Sequence, residues 1–221
     1  DEDDGGKNLH EEFPPNEQLK RNNLNIKFSY NKVLNVSYGN KVLNDVPGMF
    51  NNPLNVIVYN FVDMLSHART DTQIVKELAN DEAAYRSVVK SWFEHSTLYN
   101  ILKEIAARGG KLIITTDHGS IRVKEPSKIV GEKDVNSNLR YKQGKTLSYT
   151  EKNVLAVKNP EDAHLPKVNV SQSFVFAKDD YFFAYPNNYN HYVKYYKDTF
   201  QHGGISLEEM LIPVVMLSPK N

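Results

Sequence analysis

Two hydrophobic periods divide the chain. Leu112-Ile113-Ile114-Thr115 is a continuous apolar or β-branched run leading into Asp117-His118-Gly119, and Asn55 to Val62 (NVIVYNFV) is a second such run, ending on Asp63. Short runs of this kind predict buried parallel strands. Between them Tyr85, Val88, Val89 and Trp92 recur at i, i+3, i+4, i+7, as do Leu98, Ile101, Leu102 and Ile105. That spacing predicts two helices, the second N-capped by Ser96 and closed by Gly109-Gly110. Strand, helices, strand predicts a right-handed βαβ crossover with the two strands as parallel neighbours. Asp63 and Asp117 then share one sheet edge, where ligands sit in open α/β sheets.

The flanking pattern is less regular. A short helix is expected around Pro15, ending in Lys20-Arg21, while Phe28–Tyr30 and Val33–Gly39 look like an outer hairpin. Residues 47 to 53, bounded by two prolines, read as a loop. From Ile121 to about Lys197 helical periodicity disappears. Ser173–Ala177 and Tyr181–Tyr185 flank Lys178-Asp179-Asp180 as a β-hairpin would. This predicts a β-rich insertion or lid over residues 121–198, with its tyrosines forming a small core of their own or presenting aromatic faces to nucleobases. Ser206 with Glu209 has the spacing of a capping box, which makes Glu208 and Glu209 capping and solvated groups, and Val214–Leu217 reads as a last strand.

Composition narrows the chemistry. The 221 residues carry 27 Lys plus Arg and 27 Asp plus Glu, so no net field draws the chain to nucleic acid or membrane. There is no cysteine, so a metal site must be built from His and carboxylate. No apolar run approaches the roughly 20 residues that span a bilayer, which points to a cytoplasmic protein without membrane insertion. The acidic Asp1–Gly6 start reads as a solvated loop, and the first residue, not a Met, suggests a piece of a longer protein.

Three places far apart in sequence offer metal-ligating groups. Asp63 and His67 are four apart, on one face if the segment is helical. Asp117-His118 follows a strand, with Gly119 letting the chain turn away. His202 precedes Gly203-Gly204, which would permit close backbone approach to a metal site. Arg140 and Lys142, in a small basic segment, could serve an anionic substrate such as a phosphate ester. Each feature also has a plain structural reading, as a capping Asp or a surface His. Only their recurrence at one predicted edge favours a metal site.

In this order, Asp63-x3-His67, Asp117-His118-Gly119 and His202-Gly203-Gly204 resemble the metal-binding pattern of the alkaline phosphatase superfamily. The wording around them (NFVDMLSHART from Asn60, TTDHG from Thr115, TFQHGGISLEE from Thr199) is most similar to the PglZ domain, as found in response regulators of type IX secretion. The resemblance implies an α/β fold with a mostly parallel central sheet flanked by helices. Residues 1–120 and 199–221 would form the C-terminal part of the catalytic domain, with 121–198 inserted in it. It implies two zinc ions, one on Asp63, His67 and His202, the second on Asp117 and His118 and completed from outside this chain. The nucleophile would also lie outside the chain, leaving this piece alone inactive. Phosphodiester hydrolysis of linear or cyclic oligonucleotides is the activity implied. Implied partners are the secretion machinery, a sigma factor and, in the intact protein, a second copy. A signalling module with a non-essential metal, or a phosphomonoesterase or sulfatase, stays open beside this reading.

Overall fold

The computed structural model describes residues 13–131, 136–167 and 169–220. The acidic start of the chain lies outside the described residues. In order along the chain come α1 (Phe13–Arg21), β1 (Phe28–Val33), α2 (Val36–Met49), β2 (Leu54–Tyr59), α3 (Phe61–Asp71), α4 (Gln73–Leu78), α5 (Glu82–His95) and α6 (Thr97–Ala107). They are followed by β3 (Leu112–Thr115), β4 (Ile121–Arg122), β5 (Glu125–Val130), β6 (Tyr141–Gly144), β7 (Ser148–Tyr149) and β8 (Val154–Val157). The remainder are β9 (Ser173–Ala177), β10 (Tyr181–Ala184), α7 (Tyr189–Tyr196), β11 (Phe200–Gln201), α8 (Leu207–Met210) and β12 (Val214–Leu217). No described helix is long and apolar enough to cross a membrane.

The chain forms two compact units. One holds the described residues up to Asp63 together with 85–112 and 218–220; the other holds 64–84 and 113–217. The division falls inside α3, so Asp63 heads a helix whose later turns belong to the second unit.

The first unit is built on a βαβ element that the pattern did not suggest. β1 and β2 are parallel, in register from Phe28 opposite Leu54 to Val33 opposite Tyr59. Residues expected to be a second hairpin strand are helix α2, because Asn35 caps it, its side chain accepting from the Tyr38 N–H at 2.9 Å. Gly39, Val42, Val46 and Met49 form its buried stripe. A glycine within the stripe and Pro47 inside the helix hide this periodicity from a reading by residue type. Pro47 and Gly48 are therefore helical and not loop. The stripe meets Val33 and Ile101 in one core cluster. Gly39 is required there, since a Cβ would sit 2.3 Å from the Thr97 Oγ1. Helices α5 and α6 lie where the spacing predicts them, α6 with Ser96 as its cap.

The expected strand at 55–62 ends early. Its last residues open α3, where Phe61 stacks on Trp92 at 3.9 Å. β2 pairs with β1, and β3 with β12. The expected pairing of the runs at 55–62 and 112–115 is thus replaced by β1 for the first run and β12 for the second. Nor is the second run buried, for Ile113 is 59% exposed and all four residues of β12 are exposed. The fold is α/β, with helices and five small sheets among the described residues; a mostly parallel central sheet is not shown.

In the second unit, β9 lies between β6 and β8, antiparallel to both, while β10 runs parallel to β5. The expected hairpin of β9 with β10 does not form. Its carbonyls have another partner: Arg140 donates to the backbone oxygens of Ala177, Asp179 and Tyr181. Residues 139 and 140 also take up the ladder positions, with Ala177 N–H donating to Arg140 O and Phe183 N–H to Leu139 O. Ile129, Val154, Val175, Ala177 and Phe183 form the core behind this arrangement.

Arg140 also reaches Glu209, through Nε and through the Nη2 that it shares with two of those carbonyls. Nε to Oε1 is 2.9 Å and Nη2 to Oε2 is 2.8 Å, both side chains almost wholly buried. The Glu209 carboxylate also accepts from Gly204 N–H, Ser206 N–H and Ser206 Oγ. The capping box exists, but Glu209 is not solvated. A Cβ on Gly204 would lie 2.7 Å from both Arg140 and Glu209, so the close approach this glycine allows is to the ion pair. Gly119 is held from the other side, its N–H donating to Glu209 O at 2.9 Å, and a Cβ there would lie 1.9 Å from the Glu208 carbonyl oxygen. Arg69 ties in α3, donating to the carbonyls of Ala79, Asn80 and Asp198 while its guanidinium lies over Phe200 at 4.9 Å.

Two outcomes follow from this framework. Burial alone would raise the Glu209 carboxyl, but the hydrogen bonds and charge of Arg140, with Ser206 and Gly204, outweigh it and hold the group below its ordinary 4.5. The stability it contributes is therefore present above the unfolded-state value and lost as pH falls through the lower folded value. Glu209→Gln leaves Arg140 buried without a countercharge and should cost about 3–5 kcal/mol in urea unfolding at neutral pH, with a flatter acid limb than the parent. Gly119→Ala should cost about 1–3 kcal/mol, since the collision is with backbone and not with a movable side chain. Unchanged urea midpoints would refute either assignment.

Candidate metal centre

His118 follows β3 in a turn held by its neighbours. The Thr116 hydroxyl donates to His118 O at 3.0 Å, and the Asp117 Oδ1 accepts the His118 N–H at 3.0 Å. His118 Nδ1 is 3.0 Å from Gly119 O. A carbonyl can only accept, so that contact places the ring proton on Nδ1 and leaves the Nε2 lone pair available to a metal. The Asp117 Oδ2 lies 3.8 Å from this Nε2, and the Asp117 side chain is otherwise largely exposed.

His202 follows β11, whose two residues pair antiparallel with β4. Gly203, at φ +99°, turns the chain immediately afterwards, a conformation that side-chain-bearing residues rarely adopt. The His202 ring lies on that of His118, centroids 4.0 Å apart and planes 13° from parallel. Asp63 lies in the first turn of α3, in the first unit, and is half-buried, as His118 and His202 are.

The two stacked imidazoles, one with its tautomer set by a carbonyl, and the Asp117 carboxylate beside them offer donors of the kind that suit a borderline divalent ion such as zinc. Partial exposure leaves coordination positions that a substrate could reach. The stacked pair takes one member from each ligand set implied by the sequence, His202 from one and His118 from the other. His67 belongs to α3, but its side chain lies outside the described residues. Asp117 stands beside the pair through its contact with His118.

Arg140 and Lys142 are placed differently from free substrate-binding cations. Arg140 is committed to Glu209 and three carbonyls. Lys142 is 1% exposed, donates through Nζ to Asn136 O at 2.6 Å and lies over the Tyr185 ring at 4.8 Å. Burial pushes its ammonium down to about 8. The support given to the two metal-site loops by Glu209 had only a partial signal in sequence. The capping box was visible, but a partner 69 residues away was not.

No curated protein matches the chain. A family model, that of the BREX system PglZ alkaline phosphatase-like domain, matches residues 4–217. Membership of such a family suggests a phosphoesterase-like hydrolase, and alkaline phosphatase-like domains are typically metal-dependent. With nearly its whole length matched, the chain belongs to the PglZ family of alkaline phosphatase-like domains.

Proposed function

We propose that this chain is the metal-binding part of a zinc-dependent phosphodiesterase, acting on oligonucleotides, in a response regulator similar to PorX of type IX secretion. The observation that supports this best is the stacking of His118 on His202, with the Asp117 carboxylate beside them, in a chain that belongs to an alkaline phosphatase-like family. In this reading Asp63, His67 and His202 are the ligands of one zinc, and Asp117 and His118 contribute to a second. Zinc bound there supplies Lewis-acid polarisation of a phosphoryl oxygen. The chain's own residues hold the donor geometry: Gly119 O fixes the His118 tautomer, Gly203 turns the chain beside His202, and Arg69 holds α3 to the residues before β11. Thr115 and Thr116 donate their hydroxyls to Pro213 O and His118 O, and neither is assigned as nucleophile. Residues 121–198 are proposed as the insertion within a domain formed by 1–120 and 199–221.

A second reading, a module that binds secretion-machinery or sigma-factor partners or a second copy of itself, is favoured by one observation. β3 and β12 leave Ile113, Val214 and Met216 more than half exposed, an apolar surface of the kind that marks interaction sites.

Metal content tests the site, and turnover separates the two readings. The chain should retain zinc through gel filtration, measured by plasma mass spectrometry, and His118→Ala or His202→Ala should weaken binding by more than about 100-fold. In the intact protein, Asp117→Ala and His118→Ala should lower bis(nitrophenyl) phosphate hydrolysis by about 10³-fold. Urea midpoints should move little, because neither residue belongs to a core cluster. Full turnover in these variants would refute the roles given to Asp117 and His118, and an intact parent without zinc-dependent turnover would refute the enzymatic reading.

A further inference from the structure

Helix α7 carries an aromatic array that the metal group does not use. His191 stacks on Tyr195 at 6.1 Å and 17°, Tyr192 on Tyr196 at 6.1 Å and 14°, and Tyr195 meets Tyr196 edge-on at 4.9 Å. No residue of this helix is buried, and Tyr192 and Tyr195 are 37% and 39% exposed. Tyr192 and Tyr195 thus stack on neighbours within the helix while staying exposed to water. Their surroundings are cationic. From Tyr181 to Lys197 the sequence has no acidic residue but includes Lys194 and Lys197, and Lys128 lies 5.0 Å from the Tyr189 ring centroid. Of the acids that bound this segment, Asp198 is paired with Arg122 and Asp180 with Lys124.

We propose that the exposed face of α7 is a stacking platform for a single-stranded oligonucleotide. Tyr192 and Tyr195 would take bases, and Lys194 and Lys197 would follow the phosphates. Sequence-tolerant single-strand binding combines aromatic faces for bases with cations along the backbone, and this surface supplies both. The platform has a short path to the metal group. Thr199 fastens the end of α7, its N–H and Oγ1 both donating to Tyr196 O at 3.1 and 2.6 Å, and His202 follows three residues later. The inference deepens the phosphodiesterase reading and rests on it for the connection between binding and turnover.

The test is fluorescence anisotropy of a labelled oligothymidylate of about eight nucleotides, titrated with the chain in EDTA so that hydrolysis plays no part. Tyr192→Ala/Tyr195→Ala should bind at least tenfold more weakly, and Tyr192→Phe/Tyr195→Phe should bind like the parent, because stacking needs the ring and not the hydroxyl. Lys194→Glu should make affinity less dependent on salt between about 50 and about 200 mM. Equal binding by the alanine and parent proteins would overturn the proposal. So would competition by inorganic polyphosphate as effective as by unlabelled oligonucleotide, or tyrosine-dependent binding to anionic lipid vesicles in place of the oligonucleotide. Stacking without zinc-dependent turnover would defeat the enzymatic reading alone; turnover with unaltered affinity in the alanine protein would defeat the platform alone.

Discussion

The Arg140–Glu209 pair is the constraint on which the second unit depends. Taking both charges out of water costs several kcal/mol per ion, offset only where geometry is good and the remaining donors and acceptors are satisfied. Here the guanidinium meets the carboxylate through two nitrogens and spends its other hydrogen bonds on three backbone carbonyls, while the carboxylate accepts from Gly204 and Ser206. The pair thereby joins the β9 and β10 turn to the loop after His202, and the Glu209 backbone adds the loop after His118. Two histidines 84 positions apart in sequence are supported by the same residue.

That arrangement explains what could be read from residues alone. Local signals with a complete mechanism were legible: the apolar spacing of α5 and α6, the Ser96 cap, the Ser206–Glu209 box. Features set by distant partners were not. Nothing near Ser173–Tyr185 shows that Arg140 takes the carbonyls a hairpin would need for cross-strand pairing. Likewise α2 was concealed because its buried stripe includes a glycine and its last turn a proline. The motifs that drew attention to His118 and His202 were visible, but the stacking of the two rings depends on tertiary placement.

The two buried arginines divide the work of positioning the donors. Arg140 supports the loops that carry His118 and His202, and Arg69 fastens the helix headed by Asp63 to the chain just before β11. Both use the planar fork of the guanidinium against several carbonyl oxygens, a geometry that a lysine ammonium does not reproduce. Lys142, close to Arg140 in sequence, makes a single carbonyl contact, and burial depresses its ammonium.

Gly119 has a consequence for portability. The Asp-His-Gly tripeptide looks like a self-contained cassette, yet its glycine is shaped by a carbonyl that arrives 89 positions later. A designer transplanting this tripeptide onto another strand end would carry over the donors without the surface that seats them. The transferable part is a tertiary graft: the strand-end loop together with the opening turn of α8 and the arginine beneath it.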